Sequence, residues 1–575
     1  MSMQPQPWPE PADDVARAIR VMFAGRRAPL PVVVRDELDE LFDDAQFAEA
    51  FGVRGKPGWS PGRLAMITAL QMVENLPDSQ AAQAVRLRLD WKYCLGLDLT
   101  DEGFDASVLS EFRSRVAGHG LEERALDLLV EALVARGLLK AGGKQRTDSS
   151  HVIAAVRDLN RLELAGETVR ACVEAIAAVD PDWLAATIDL DGWGRRYGAR
   201  VDSWRLPTSK ARRDALATDY GRDGFALLKA VYAPAAPQWV RYLPAVEILR
   251  VVLVQNYLVD VDRQGREVIR RREADTDGLP PGRLRITSPY DPDARWGGKR
   301  DLTWNGYKIH ISESCDVDAA DLPSSTTGWV PEKPPNLITH VATTDASVPD
   351  VAMTAPIHEA MARRQILPGE HYLDSGYPSA DLLVSSMARF GVALVTPMLA
   401  DTSPQARAAD GFDRAAFTID WDQQQVTCPQ GQTSTSWAPA IQRGTEVIVT
   451  RFDRQTCQQC PVKTTCTTAT RRGRQLTLRP QPVQEALDQA RAEQNTADWQ
   501  AKYARRAGAE STIAQAVKVT DTRHARYRGL PKTRLEHVYK AVALNLIRLD
   551  AWWNGYPLDR RQTSHLARLE LTLAA

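Results

Sequence analysis

The chain has 575 residues, of which 44% are hydrophobic and 25% are charged, and its net charge is −1. This length exceeds the roughly 300 residues that one core fills, which favours several domains over a single sandwich or barrel. The near-neutral charge argues against a uniformly basic surface that coats nucleic acid. Polar residues interrupt the apolar runs, which argues against membrane spans, and the first residues lack the pattern of a signal peptide. We therefore expect a cytoplasmic protein.

A helical pattern covers residues 35–138. Ser60 and Pro61 predict a helix start, since serine caps helices and proline suits the first helical position. Residues 104–107 predict the start of a later helix. Two helices joined by a tight turn, with exposed arginines, are typical of a helix-turn-helix DNA reader, although plain helical bundles share this pattern; the arginines are Arg86, Arg88, Arg113 and Arg115. We predict an N-terminal helical DNA-binding domain over residues 1–138.

An acidic residue, Asp148, ends the segment Lys-Gln-Arg-Thr-Asp and precedes Ser149 and Ser150. We predict that residues 139–155 form a strand that brings this carboxylate to the rim of a site. Residues 156–285 then predict a helical insertion, with an amphipathic stretch at 161–178. No motif in the insertion points to chemistry.

The pattern changes near residue 300, where aromatic and β-branched residues alternate with polar ones. Strands are predicted at residues 303–313, 337–344, 371–374 and 392–396, and helices at 353–366 and 380–390. This alternation predicts an α/β fold, a mixed sheet covered by helices, over residues 286–400. Asp374 ends its predicted strand, and ligands of open α/β sheets bind at that end.

Four of the seven cysteines lie in a polar, β-like insertion over residues 401–482. Cys457 and Cys460 form a Cys-x2-Cys pair, and Cys428 and Cys466 complete a set that suits a tetrahedral structural zinc site. The Cys-x5-Cys spacing is looser than usual for the second pair. An iron–sulfur cluster and unliganded thiols are the alternatives.

A helical segment at residues 483–575 carries Tyr503, Arg506 and Glu510 at positions i, i+3 and i+7. This spacing places them on one helix face, where they offer an aromatic ring to a base, a guanidinium to a phosphate and a carboxylate to a metal. A solvent-facing stripe of ion pairs is the alternative.

Asp148 and Asp374 on strands and Glu510 on a helix are the residue types that a two-metal phosphoryl-transfer site requires. Mg²⁺ and Mn²⁺ take oxygen ligands, and two ions activate the attacking oxygen and stabilise the leaving one. For any one acid alone, helix capping or a surface role is the simpler explanation. Three histidines lie near these strands, either close to the acids or as satisfied core or surface residues: His151, His310 and His340.

The spacing Tyr-x2-Arg-x3-Glu resembles the C-terminal motif of the DDE transposases of bacterial insertion sequences. Residues 147–151, Thr-Asp-Ser-Ser-His, and 372–377, Tyr-Leu-Asp-Ser-Gly-Tyr, resemble the first and second aspartate motifs of that family. Further segments are similar to the insertion-sequence eleven-eighty-two group, at residues 89–93, 104–107, 288–295, 304–310 and 526–529. The resemblance spans residues 40–555.

The resemblance implies a ribonuclease-H-like DDE catalytic core that binds Mg²⁺ or Mn²⁺ through Asp148, Asp374 and Glu510. It implies cleavage at the transposon ends, strand transfer into target DNA, and a homodimer on DNA. The implied DNA contacts are Tyr503, Arg506, Lys518, Arg526 and Arg528. In the related motif a lysine follows the glutamate by seven positions, where this chain has Val517, so Lys518 is rotated by about 100° on a helix.

Two other functions fit the same residues. One is a transposase descendant that binds DNA as a regulator and no longer cuts. The other is a nuclease of the DDE type without strand transfer. The three acids argue against the first, because a protein that only binds DNA does not require them.

Overall fold

The computed structural model describes residues 5–55, 57–316 and 334–555. Its N-terminal part is helical, as predicted. α3 begins after Ser60, whose hydroxyl accepts a hydrogen bond from the Arg63 amide at 3.1 Å, and Pro61 takes the first helical position. The helices are α1 (Asp13–Met22), α2 (Leu30–Leu38), α3 (Pro61–Val73), α4 (Asp78–Leu87), α5 (Leu89–Leu95), α6 (Ser107–Gly118) and α7 (Arg124–Ala135).

The arginines of this region are less exposed, and more often paired with acids, than we predicted from the sequence. Arg113 was expected to be exposed, which is wrong: it is 3% exposed, it pairs with Asp78, and its guanidinium lies 4.5 Å from the centre of the Tyr527 ring. The apolar contacts of α6 bury that helix face. Arg88 is paired with Glu74 and Asp90, and Arg115 with Glu111, while Arg86 is exposed.

The first strand, β1 (Lys144–Ile153), leads into the insertion, which has a core of its own around Val169, Leu227 and Leu249. A capping box of Asn160 and Glu163 starts its first helix. The elements are α8 (Arg161–Ala177), α9 (Pro181–Thr187), α10 (Leu190–Tyr197), α11 (Lys210–Val231), α12 (Pro244–Asn256), β2 (Tyr257–Val261) and β3 (Glu267–Arg271).

The β2–β3 hairpin corrects the prediction that residues 156–285 are helical. Its β-branched residues, such as Val259 and Val268, favour strands over helices. Gly265 has a φ of +79° in the connecting turn, a conformation that glycine adopts without strain. The prediction is right as far as Asn256 and wrong beyond it.

The predicted mixed sheet is present, with helices packed on it. Its further strands are β4 (Arg295–Lys299), β5 (Leu302–Ser314), β6 (Ile338–Asp345), β7 (Glu370–Leu373) and β8 (Ala393–Val395), and its helices are α13 (Thr354–Arg363) and α14 (Ala380–Phe390). β1 pairs antiparallel with β5 and parallel with β7, and β7 pairs parallel with β8. β4 and β6 pair antiparallel with successive parts of β5.

The cysteine-bearing insertion is β-rich, as predicted. Its elements are α15 (Pro404–Ala408), β9 (Thr418–Asp420), β10 (Gln425–Thr427), β11 (Ser436–Gln442), β12 (Thr445–Arg451), α16 (Arg454–Gln458), α17 (Lys463–Cys466) and β13 (Gln475–Leu478). We call residues 417–478 the cysteine unit. β12 pairs with both β11 and β13, and β9 pairs with β10.

The C-terminal helices are α18 (Gln481–Glu493), α19 (Ala497–Tyr503), α20 (Gly508–Thr520) and α21 (Leu530–Trp553). α21 packs against β6 and against α3 and α7. The Asn545 side chain joins it to β6, by accepting from the Ile338 amide at 2.7 Å and donating to the Ile338 carbonyl at 2.8 Å. The N-terminal helices, the sheet and α21 therefore share one apolar cluster, which we call the main core.

Two predictions concern the C-terminal segment and membrane-spanning helices. The helical segment was predicted to run to residue 575, and residues 556–575 lie outside the described residues. Across the described ranges, every helix is too short or too polar to cross a membrane.

Candidate active site

The two aspartates lie side by side on neighbouring strands. The parallel register of β1 and β7 pairs Thr147 with Leu373. Asp148 and Asp374 are the next residues along the two strands, so both carboxylates are at one level of the sheet. The acids that the sequence singled out are thus neighbours, although more than 200 residues separate them.

Arg506 joins these aspartates to Glu510. Its Nη2 lies 2.9 Å from Asp148 Oδ2 and 3.9 Å from Asp374 Oδ2, and its Nη1 lies 2.6 Å from Glu510 Oε1. One guanidinium therefore contacts all three acids. The Glu510 side chain is 67% exposed and the Asp148 side chain only 11%, so the group opens toward solvent on the Glu510 side.

The backbone around Arg506 differs from the single helix that the sequence suggested. A 3-10 turn at Ala504–Ala507 separates α19 from α20, so Tyr503, Arg506 and Glu510 do not share one continuous helix. They still meet at the site. The Tyr503 hydroxyl donates to the Leu373 carbonyl at 3.1 Å, and the Tyr503 ring stacks on Trp499 with centroids 4.8 Å apart.

A buried ion-pair network holds the start of α20 against the sheet. Glu313, which is 1% exposed on β5, pairs with Arg146 Nε and with Arg548 Nη1, both at 2.7 Å. Arg146 also donates to the Arg505 carbonyl at 2.8 Å. A Cβ added at Gly508 would lie 1.9 Å from Arg146 Nη1, so any larger residue here would require the Arg146 guanidinium to move.

Burial and charge oppose each other at the site. Burial raises the pKa of Asp148 above its ordinary value, although Arg506 and the Ser149 amide lower it. Burial lowers the pKa of Arg506, but its acidic neighbours, Asp148 first, more than offset this and leave it raised. Burial also raises the pKa of Tyr503. The arginine therefore stays charged and compensates the acids.

The acids form one wall of a cleft of about 680 Å³. Its other walls bring basic side chains from three parts of the chain: Lys299, Arg300, Lys518 and Arg523. Val517 and Lys518 both line the cleft, so the offset of the lysine by one position still leaves it at the site. A cleft with acids on one wall and basic side chains on the others suits a phosphodiester that approaches a metal.

Asp350 is a further acid that the sequence analysis missed. Its Oδ2 accepts from the Ser149 hydroxyl at 2.9 Å, and its Oδ1 lies 3.0 Å from Lys308 Nζ. Burial raises its pKa, but Lys308 more than offsets this and lowers it. The Ser149 amide donates to Asp148 at 2.8 Å, so Ser149 makes a hydrogen bond to each of the two acids. Its position soon after β6 resembles that of Asp374 after β7, and this signal could have identified it.

The three histidines do not line the cleft. His310 Nδ1 lies 2.7 Å from the Tyr377 hydroxyl, and burial lowers its pKa to about 4. His340 Nδ1 lies 2.5 Å from Arg364, and burial lowers its pKa too. His151 packs beside Trp304.

The other expected DNA contacts lie apart from the cleft lining. Arg526 donates to the Leu76 carbonyl at 2.8 Å and to Asn75, so its guanidinium joins the C-terminal segment to the N-terminal helices. Arg528 is exposed and lies 6.0 Å from the Tyr290 ring centre. Lys518 and Arg506 therefore lie at the site, whereas Arg526 binds the N-terminal helices.

The four late cysteines gather around one small core. Cys428, Cys457 and Cys466 pack against it, and burial, followed by the nearby cysteines, raises the pKa of Cys466. As the side chains stand in the described ranges, no three carboxylates, imidazoles or thiols lie close enough to hold a metal ion. The zinc site stays a prediction.

Two family models match the chain. A transposase DDE domain matches residues 427–550, which include Arg506 and Glu510, and the transposase domain DUF772 matches residues 26–115. No curated protein and no solved structure matches. The narrower eleven-eighty-two group stays a prediction. With a transposase match in both its N-terminal and its C-terminal part, the chain is confirmed as similar to the DDE transposases of insertion sequences.

Proposed function

We propose that the chain is a DNA transposase that cuts phosphodiesters at the ends of its element and joins the freed ends to target DNA. Its catalytic acids are Asp148, Asp374 and Glu510. The observation that carries the proposal is the convergence of these acids on the Arg506 guanidinium beside a cleft. The transposase matches supply the reaction class.

The strand order supports a ribonuclease-H-like core. β6, β5 and β1 are antiparallel neighbours, and β7 and β8 continue the sheet parallel to β1. One acid lies on β1 and the second directly after β7. This is the arrangement that the resemblance implies for the first two acids of the triad.

The donor chemistry of the three acids fits Mg²⁺ or Mn²⁺, because these ions prefer carboxylate oxygens. Asp148, Asp374 and Glu510 are the residues that would hold the metal. When bound, the metal supplies a stronger nucleophile and stabilises the leaving oxygen. The Arg506 guanidinium lies among the acids, so it must withdraw from part of these contacts or share the carboxylates with an ion.

The residues around the acids align the DNA. Lys299, Arg300 and Arg523 can bind the phosphates on either side of the scissile bond. Arg506 and Tyr503 position the strand, and the Tyr503 hydroxyl is fixed by the Leu373 carbonyl. Because the three acids bind a metal only as carboxylates, cleavage should weaken as the pH falls and they become protonated.

The rest of the chain serves recognition in this proposal. The N-terminal helices bind the terminal repeats, and a homodimer holds two ends together for strand transfer. The buried Arg113 is excluded from this contact, whereas the exposed Arg86 is a candidate for it.

The test uses the purified full chain and a DNA fragment that carries the repeats flanking its own gene, with Mg²⁺ or with EDTA. We expect nicked and joined products with Mg²⁺ alone. Asp148→Asn, Asp374→Asn and Glu510→Gln should each reduce cleavage by about 100- to 1,000-fold or more while DNA binding is retained.

Asp498→Asn is the matched control, because it removes an exposed carboxylate from α19, outside the cleft lining. It should cleave as the parent does. Absence of nicked and joined products from the parent, at any Mg²⁺ or Mn²⁺ concentration, would refute the enzyme and leave a DNA-binding protein. Nicks without joined products would support a nuclease that lacks strand transfer.

A further inference from the structure

A second cleft, of about 510 Å³, lies on the surface of the cysteine unit. The end of β12, the start of α16 and the loop before β13 form its walls. Its lining includes Arg451, Arg454, Arg471 and Arg472, all of them exposed. Four guanidinium groups thus surround one opening.

The positive charge of this cleft is not neutralised by acidic residues in its lining. Asp453 is the one acid of the lining, and its carboxylate caps α16 by accepting from the Thr456 amide at 2.8 Å and hydroxyl at 3.0 Å. Among the described residues, the side chains of Arg454, Arg471 and Arg472 make no hydrogen bond or ion pair, and Arg451 donates only to the neutral Gln475 side chain, at 3.2 Å. Cations of this density without partners indicate an anionic ligand.

The walls of the cleft are fixed in place. The Phe452 amide donates to the Arg474 carbonyl at 3.0 Å, and the Arg474 side chain donates to the Cys466 carbonyl at 2.8 Å. A Cβ added at Gly473 would lie 2.2 Å from the Phe452 carbonyl oxygen, so the loop lies directly on the end of β12. The cleft is therefore formed before any ligand arrives.

The lining also indicates which part of a nucleic acid it fits. Its one aromatic side chain, Phe452, is 5% exposed, so unpaired bases have no ring on which to stack. The Ser436 hydroxyl oxygen is buried in the lining and lacks a hydrogen-bond partner among the described residues. Guanidinium and hydroxyl groups are donors that suit phosphate oxygens.

We propose that this cleft binds the phosphodiester backbone of double-stranded DNA, as a docking site separate from the active-site lining. The proposal rests on the proposed function, since it takes the ligand to be the DNA on which the chain acts. It assigns the cysteine unit the task of holding a flanking part of the duplex. The contact reads no sequence, because phosphates carry none.

The test compares DNA binding by full-length variants without added Mg²⁺ or Mn²⁺ and without a chelator, over a range of potassium chloride concentrations. The probe is a duplex of arbitrary sequence. Arg471→Gln/Arg472→Gln should weaken binding by about tenfold at low salt and reduce the slope of log K against log salt by about 2, since about 0.9 is lost per phosphate contact. Arg451→Gln/Arg454→Gln should give a similar loss.

The matched control is Arg407→Gln/Arg443→Gln, which removes the same charge from two exposed positions outside the cleft. Arg443 lies in the turn at the other end of the β11–β12 hairpin, about 20 Å away. Parent-like binding by both cleft variants, or an equal loss in the control, would overturn the docking site. Tighter binding of an RNA duplex than of the DNA duplex would overturn the choice of ligand.

Cleavage with Mg²⁺ is measured separately on the parent. A parent that cleaves, with cleft variants that bind normally, removes the docking site and keeps the proposed function. A parent that never cleaves, with cleft variants that lose affinity and slope, removes the proposed function and keeps the docking site.

Discussion

The main core and the cysteine unit are stabilised by different means. The main core is one apolar cluster that reaches from Trp8 to Leu549 and includes side chains of the N-terminal helices, the sheet and α21. The core of the cysteine unit has few fully buried apolar side chains: Phe417, Val426, Phe452, Leu476 and Leu478. A small unit with so little apolar burial needs cross-links or support from its neighbours.

The cysteines follow this division. Cys94 in the main core and Cys172 in the core of the insertion are buried among apolar side chains, and burial raises the pKa of each to about 12, so they behave as small apolar residues. The four thiols of the cysteine unit are partly exposed and gather in one place. The large core should therefore respond to lost packing and lost charge pairing, and the small unit should respond to lost thiols.

The largest effect is expected where the main core holds charge. Glu313→Gln leaves Arg146 and Arg548 without their buried carboxylate, and we expect a loss of about 4 kcal/mol in the free energy of unfolding at neutral pH. Burial raises the pKa of Glu313, but the two arginines more than offset this, so its folded-state pKa lies below the usual 4.5.

The lowered pKa of Glu313 determines how the stability of the fold depends on pH. A carboxylate with a lowered folded-state pKa stabilises the fold above about pH 4.5, and the contribution is lost as the pH falls through the folded value. Denaturant unfolding of the parent and the variant should converge toward acid pH. A difference that stays constant, or grows, as the pH falls would contradict this account.

The next effect concerns packing in the same core. Leu544→Ala removes a side chain that is 1% exposed in α21, and we expect unfolding to become easier by about 3 kcal/mol. Val254→Ala is the control, since Val254 is 59% exposed, and it should change the unfolding free energy by less than about 0.5 kcal/mol. Equal melting temperatures for the two variants would show that α21 is not part of the cooperative core.

A smaller change in stability should accompany a large change in activity at Gly508. Gly508→Ala forces Arg146 away from the start of α20, which displaces Arg506 and Glu510. Cleavage should fall by about 100-fold, as expected for a shift of roughly 1 Å, and the melting temperature should fall less than in Glu313→Gln, because Glu313 keeps its pair with Arg548. Gly194→Ala, in α10 with open space around it, should cleave normally. Normal cleavage by Gly508→Ala would mean that Arg146 does not position the site.

The smallest global effect is expected from the cysteine unit. Cys460→Ser should speed hydrogen exchange across residues 417–478 and leave the melting temperature of the main core within about 1 °C, because the two cores are separate clusters. Cys172→Ser, in the insertion, is the control that should leave exchange in the cysteine unit unchanged. If the four thiols bind zinc, a chelator should reproduce the Cys460→Ser pattern. Equal exchange rates in the parent and the variant would mean that the thiols do not stabilise the cysteine unit.

Local patterns predicted most of the strands and helices. The alternation at residues 303–313 and the serine–proline start of α3 depend on neighbouring residues only, and both are present. The burial of Arg113 depends on Asp78 and Tyr527, which are far away in the sequence, and the β2–β3 hairpin lies within a mostly helical segment. Side chains whose partners are distant in sequence gave no local signal.

The candidate site likewise has residues that local motifs predicted and residues that they did not. Asp148, Asp374 and Glu510 were identified by short motifs, and the register of β1 and β7 brings the two aspartates together. The bridging position of Arg506 could not be predicted, because a 3-10 turn changes the helix face on which the spacing argument relied. Lys299 and Arg300 reach the cleft from the turn between β4 and β5, where no motif marks them.

The long insertion between β1 and β5 has a consequence for the order in which the chain folds during synthesis. β1 ends at Ile153, and the strand that covers most of its length begins at Leu302. At about 5–20 residues per second, a ribosome needs roughly 10–30 s to make the segment between them. The insertion, with its own core, can fold in that interval while both edges of β1 wait unpaired, and β7, Arg506 and Glu510 emerge later still. If the proposed function holds, a chain released early has Asp148 but lacks Asp374 and Glu510, so we expect it to be unable to cut DNA.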